Sequence, residues 1–68
     1  MKYSLTNQYG DKIQEVNGIK AAIKAAEQYF QCSVEESEKD LKSELKMMQF
    51  GWLTCCLDSN IRITVEAT

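Results

Sequence analysis

The C-terminal stretch Phe50-Gly-Trp-Leu-Thr-Cys-Cys-Leu-Asp-Ser-Asn-Ile-Arg-Ile-Thr-Val-Glu66 limits what this chain can fold into more than any other segment. From Ile61 onward it alternates without a break, with Ile61, Ile63 and Val65 on one side and Arg62, Thr64 and Glu66 on the other. A period of two built from β-branched residues belongs to a strand with one buried face. Trp52 to Leu57 can form a second strand, and Asp58-Ser59-Asn60 supplies turn residues between the two. The pair reads as an antiparallel hairpin.

The length of the turn decides which side chains are buried. A two-residue loop at Ser59-Asn60 sets Cys56 opposite Ile63 and Thr54 opposite Val65, which mixes a hydroxyl into the apolar face. A three-residue loop at Asp58-Ser59-Asn60 sets Leu57 opposite Ile61, Cys55 opposite Ile63 and Leu53 opposite Val65. Every strong aliphatic then shares one face, while Trp52, Thr54, Cys56, Arg62, Thr64 and Glu66 take the other. A one-residue slip would invert every side chain, so burial favours the three-residue loop. Asn60 also tolerates the positive φ with which such loops commonly end.

The remaining chain is short. With 68 residues it is expected to form a single domain, residues 1–68. A domain of this size buries only about 60% of its unfolded surface, so homodimerisation is a natural expectation. No apolar run approaches the roughly 18 residues of a membrane span. The first residues, Met-Lys-Tyr-Ser-Leu-Thr-Asn, lack the apolar core of a secretory signal, so a cytoplasmic location is expected. Reduced thiols are expected for the three cysteines on the same ground.

Tyr3 and Leu5 alternate with Ser4 and Thr6 in a short N-terminal strand, and Gln8 to Lys12 reads as a turn around Gly10. Ile13 to Val16 fits a returning strand. It also fits the start of a helical stripe running Ile13, Val16, Ile19, Ile23, Ala26 and Phe30. Gly18 inside a helix would cost about 1 kcal/mol against Ala, and Asn17 is a good cap, which favours a break there. Ile19, Ala22, Ile23, Ala26 and Phe30 then form the apolar face of a helix ending near Gln31. Ser33 and Glu36 have the spacing of a capping box for a second helix, with Gly51 as its stop and Val34, Leu41, Leu45 and Met48 as its core stripe. The expected fold is α+β: a small antiparallel sheet, with the C-terminal hairpin joined by an N-terminal strand or hairpin, and two helices on one face. The element order is ββααββ or βααββ.

The chain has no histidine. That removes Ser-His-Asp and Cys-His nucleophile pairs and the commonest general base near neutral pH, so no enzyme, cofactor or metal site is expected. Adjacent Cys55 and Cys56 leave opposite faces of a strand and cannot close on one ion. Three other groups are candidates for contact with a partner. Met47, Phe50, Trp52 and Cys56 fall off the core stripes and together would make an exposed apolar patch. Glu36, Asp40 and Glu44 share one edge of the second helix and would steer a basic partner. Lys20, Lys24, Lys39, Lys42 and Lys46 are the cations that a nucleic acid would need. However, eight Lys and Arg against ten Asp and Glu, net charge −2, is a poor footprint for phosphates.

The run Ile13-Gln-Glu-Val-Asn-Gly-Ile-Lys-Ala-Ala-Ile-Lys-Ala-Ala, followed by a short turn and a second capped helix, resembles the small strand-then-helix-turn-helix modules appended to nucleases. The resemblance covers under half of the chain and implies DNA binding. Here the second helix opens on Glu-Glu-Ser-Glu, which repels phosphates. The residues therefore point first to a non-enzymatic protein–protein interaction module, an inhibitor or adaptor that occludes a partner's surface, with another protein or a second copy as partner. A nucleic-acid-binding accessory domain and a structural dimer without a ligand are the alternatives.

Overall fold

The computed structural model describes residues 1–68. Six elements follow one another as β1 (Lys2–Thr6), β2 (Lys12–Asn17), α1 (Ile19–Phe30), α2 (Glu38–Met48), β3 (Phe50–Cys55) and β4 (Asp58–Ala67). The strands form one antiparallel sheet in the order β2-β1-β4-β3, with the first and last strands of the chain's two hairpins paired at its centre. The fold is a small α+β domain of order ββααββ.

Residues 12–17 are a strand, so the helical alternative for this segment does not form. The break falls one residue later than the Asn17 cap expected from sequence. Gly18 occupies the cap at φ 94°, a conformation that side-chain-bearing residues rarely adopt, and its N–H donates to the Met1 carbonyl at 3.0 Å. α1 presents Ala22, Ala25 and Ala26 to the sheet, all buried. Their small side chains let the helix lie close, with Ile19, Ile23 and Phe30 packed around the core's margin. Leu5, Leu41, Leu53, Ile63 and Val65 are the largest fully buried side chains.

The second helix starts later than Ser33. Its cap is Ser37, whose Oγ accepts from the Asp40 N–H at 3.2 Å while the Asp40 carboxylate accepts from the Ser37 N–H at 3.1 Å. Ser37-Glu-Lys-Asp40 has the same spacing as Ser33-Val-Glu-Glu36, and tertiary structure chose between them. Residues 33–35 instead run along the outer edge of β3. Glu35 N–H donates to the Thr54 carbonyl at 2.9 Å, and Cys56 N–H donates to the Ser33 carbonyl at 3.1 Å. An edge strand's unpaired backbone groups claimed the segment that local propensity assigned to a helix. Val34 is thus part of a β-bridge to Cys55, not of the helical stripe, and Met48 is exposed.

The C-terminal hairpin keeps its expected faces but not its expected register. Leu53 pairs with Ile63, Trp52 with Thr64 and Gly51 with Val65, a shift of two residues from the three-residue-loop pairing. A shift of two leaves inward residues inward, so Leu53, Ile63 and Val65 are all fully buried. The cost falls on Leu57. It sits with Cys56 in the turn and is 81% exposed. The ladder shifts between Thr54 and Cys55, so that Cys55 meets Asp58 and the Asp58-Ser-Asn60 cluster lies inside β4.

Gly51 shows how closely α2 packs on β3. It lies in β3 rather than ending the helix, and Gln49 takes the left-handed cap at φ 65°. A Cβ at Gly51 would stand 2.8 Å from Leu41 Cδ1 and 3.2 Å from Glu44 Cβ. Only glycine lets α2 approach β3 this closely. Gly51→Ala is expected to destabilise by about 1–3 kcal/mol, because the buried Leu41 has nowhere to move. Thermal unfolding by circular dichroism checks this, and an unchanged midpoint would contradict it.

Candidate interaction surface

Residues opposite one another in the ladder share a face, so the pairing assigns every side chain of the uncovered side. It carries Phe50, Trp52 and Thr54 from β3, Arg62, Thr64 and Glu66 from β4, Lys2, Ser4 and Thr6 from β1, and Lys12, Glu15 and Asn17 from β2. Phe50 and Trp52 are two apart on β3 and both half-buried. Their rings meet edge to face, 5.2 Å between centroids and 80° between planes. This is a favourable aromatic geometry. The remaining side chains are hydroxyls and charges of both signs. Lys12 and Glu15 pair at 2.7 Å on the exposed strand β2, and that bond holds the Glu15 carboxyl below its ordinary value of 4.5.

The structure brings together two of the four residues of the expected apolar patch. Met47 is 83% exposed on α2, and Cys56 lies in the turn beyond the far end of β3, off the strand on which it was expected. The contiguous part of the patch is the Phe50–Trp52 pair.

The three acids of the expected steering edge all have bonds within the chain. The Glu36 carboxylate accepts from both the N–H and the hydroxyl of Thr54, each at 2.7 Å. Glu44 accepts from the Trp52 N–H at 3.3 Å, and Asp40 closes the capping box of α2. β3 is an edge strand, and an exposed edge invites pairing with other chains. Two carboxylates and the backbone of residues 33–35 take up its outward-facing N–H groups at Trp52, Thr54 and Cys56 and the Thr54 carbonyl. No cue in the sequence marked Glu36 as an edge cap. Glu36 directly follows the extended segment 33–35, whose path along β3 sets its position.

The five helical and neighbouring lysines do not converge on the aromatic face. Lys42 and Lys46 flank a cleft of about 420 Å³ on the other side of the sheet, whose walls include Tyr3, Ile19 and Leu45. No group of three or more cysteine or acidic side chains is placed to hold a metal ion. No helix is long and apolar enough to cross a membrane.

No family model, curated protein or solved structure matches the chain. Any function must therefore be argued from the surface itself. Cys32 Sγ, in the linker between the helices, and Cys55 Sγ, at the end of β3, not singled out as a pair from sequence, lie 3.0 Å apart.

Proposed function

We propose that this chain is a non-enzymatic binding module that takes another protein on the uncovered face of its sheet, with Phe50 and Trp52 at the centre of the contact. The observation that carries this reading is the aromatic pair. Two large rings lie partly exposed on the face that the core does not use. Tryptophan is among the side chains that most often dominate binding energy. The surrounding Ser4, Thr6 and Thr64, with Lys2 and Arg62 against Glu66, suit the polar rim of such an interface. The mechanism is occlusion: a small rigid domain without a catalytic group acts by covering a surface of its partner, as an inhibitor or an adaptor does. The sealed edge of β3 favours recognition by side chains on this face over strand addition at that edge.

A single nucleic-acid strand is the second reading, because exposed aromatics on an open antiparallel sheet can stack bases. It predicts affinity that falls steeply with salt. The acids Glu15 and Glu66 on the same face count against it.

Site-specific photo-cross-linking in the native host tests the first reading. A photoreactive residue at Ser4, on the aromatic face, is expected to give a discrete protein adduct, and one at Lys39 on α2 is not. Combining the Ser4 probe with Phe50→Ala and Trp52→Ala should remove the adduct. A cross-link of twice the chain mass would identify the partner as a second copy. Adducts from Lys39 alone, or adducts that survive loss of both rings, would overturn the assignment.

A further inference from the structure

We propose that Cys32 and Cys55 form an oxidisable pair, a modification site that a small-molecule disulfide of the glutathione type closes into an intramolecular cystine. Three observations place the two thiols in a common, built setting. Their sulfurs are 3.0 Å apart, about 1 Å more than a disulfide bond, so closure needs little movement. The backbone around them is already tied together, by the Val34–Cys55 bridge, by Glu35 N–H to Thr54 O and by Cys56 N–H to Ser33 O. Finally, the two sulfurs differ in access. Cys55 is 5% exposed, whereas Cys32 is half-buried and lines a shallow surface depression with Lys24, Glu27, Gln28 and Ser33.

That asymmetry sets the order of events. Deprotonated Cys32 attacks one sulfur of glutathione disulfide, forms the mixed disulfide and releases one glutathione thiolate. Deprotonated Cys55, directly behind, attacks the Cys32 sulfur, forms the Cys32–Cys55 bond and releases the second glutathione thiolate. The two protons lost by the protein's thiols are taken up by the two glutathione thiolates. Two thiols are oxidised and one disulfide is reduced, so electrons balance.

Closure would clip the linker between α1 and α2 to the edge of β3, fixing the segment that delivers Glu36 to Thr54. It links residues 23 positions apart in sequence. A loop of that length constrains the unfolded chain enough to raise the melting temperature by roughly 10 °C. Cys56 is exposed and adjacent, and is the competing thiol.

The test incubates the reduced, folded protein with glutathione disulfide near neutral pH, alkylates the remaining thiols and maps peptides by mass spectrometry. The expected product is a monomer lighter by two hydrogens, with Cys32 joined to Cys55 and only Cys56 alkylated. Cys56→Ser should oxidise in the same way. The melting temperature should rise by roughly 10 °C and return to its starting value with dithiothreitol. Glutathione retained on Cys56, a Cys56-linked dimer, a Cys32–Cys56 bond, or three alkylatable thiols after incubation would each overturn the proposal.

Discussion

Replacing Leu53 with alanine is expected to cost about 3–4 kcal/mol, among the largest losses anticipated from any single truncation in this chain. Leu53 is fully buried. It is the only aliphatic side chain that β3 contributes to the core, where Gly51 and Cys55 flank it and Ile63 faces it across the ladder. Alanine would leave a void in the close-packed layer between β3 and the helices, which the surrounding side chains can close only in part. A domain of this size has a total stability of about 3–10 kcal/mol, so the substitution removes a third or more of it. Urea denaturation followed by circular dichroism checks the loss. Leu57→Ala is the informative control. A register with Leu57 opposite Ile61 would make that truncation costly too, whereas a side chain that is 81% exposed should change stability by less than about 0.5 kcal/mol. Comparable losses at the two positions would refute the observed pairing.

The second large effect is expected at Glu36. Its carboxylate receives two short bonds from Thr54, a residue only 7% exposed. Glu36→Ala leaves a backbone N–H and a hydroxyl without their partner in a site largely closed to water. Charge-assisted bonds of this kind make the loss about 2–3 kcal/mol. Glu36→Gln keeps a neutral acceptor and should recover a good part of it. A second consequence separates this role from simple packing. Removing the cap exposes the edge of β3, so Glu36→Ala should associate more readily than an equally destabilised Gly51→Ala. Light scattering of the two variants at matched fraction folded makes the comparison. Equal association would show that the edge is sealed without Glu36.

Both predictions rest on features that differ in how visible they are in the chain. The faces of the C-terminal hairpin were legible, because alternation over Ile61 to Glu66 admits one inward set whatever the turn. The register was not. Shifts of two residues leave that set unchanged, so alternation alone does not choose among them. The first helix was legible from its stripe of Ile and Ala. The start of the second was not, because Ser33 and Ser37 both head a capping-box spacing and local energies do not separate them.

The same division runs through the candidate surface. Trp52 on the outer side of the sheet follows from strand alternation, whereas its pairing with Phe50 does not, because the sequence placed Phe50 at the end of the second helix and β3 in fact begins there. The roles of Glu36 and Glu44, and the approach of Cys32 to Cys55, depend on the path of the segment between the helices. Periodicity determined the first helix, the C-terminal hairpin and their inward faces, since burial of apolar surface acts on every residue of a face together, but it left residues 13–16 open between strand and helix. The register of β3, its sealed edge and the thiol pair were decided by tertiary structure alone, because each depends on a few backbone and side-chain contacts between residues far apart in the chain.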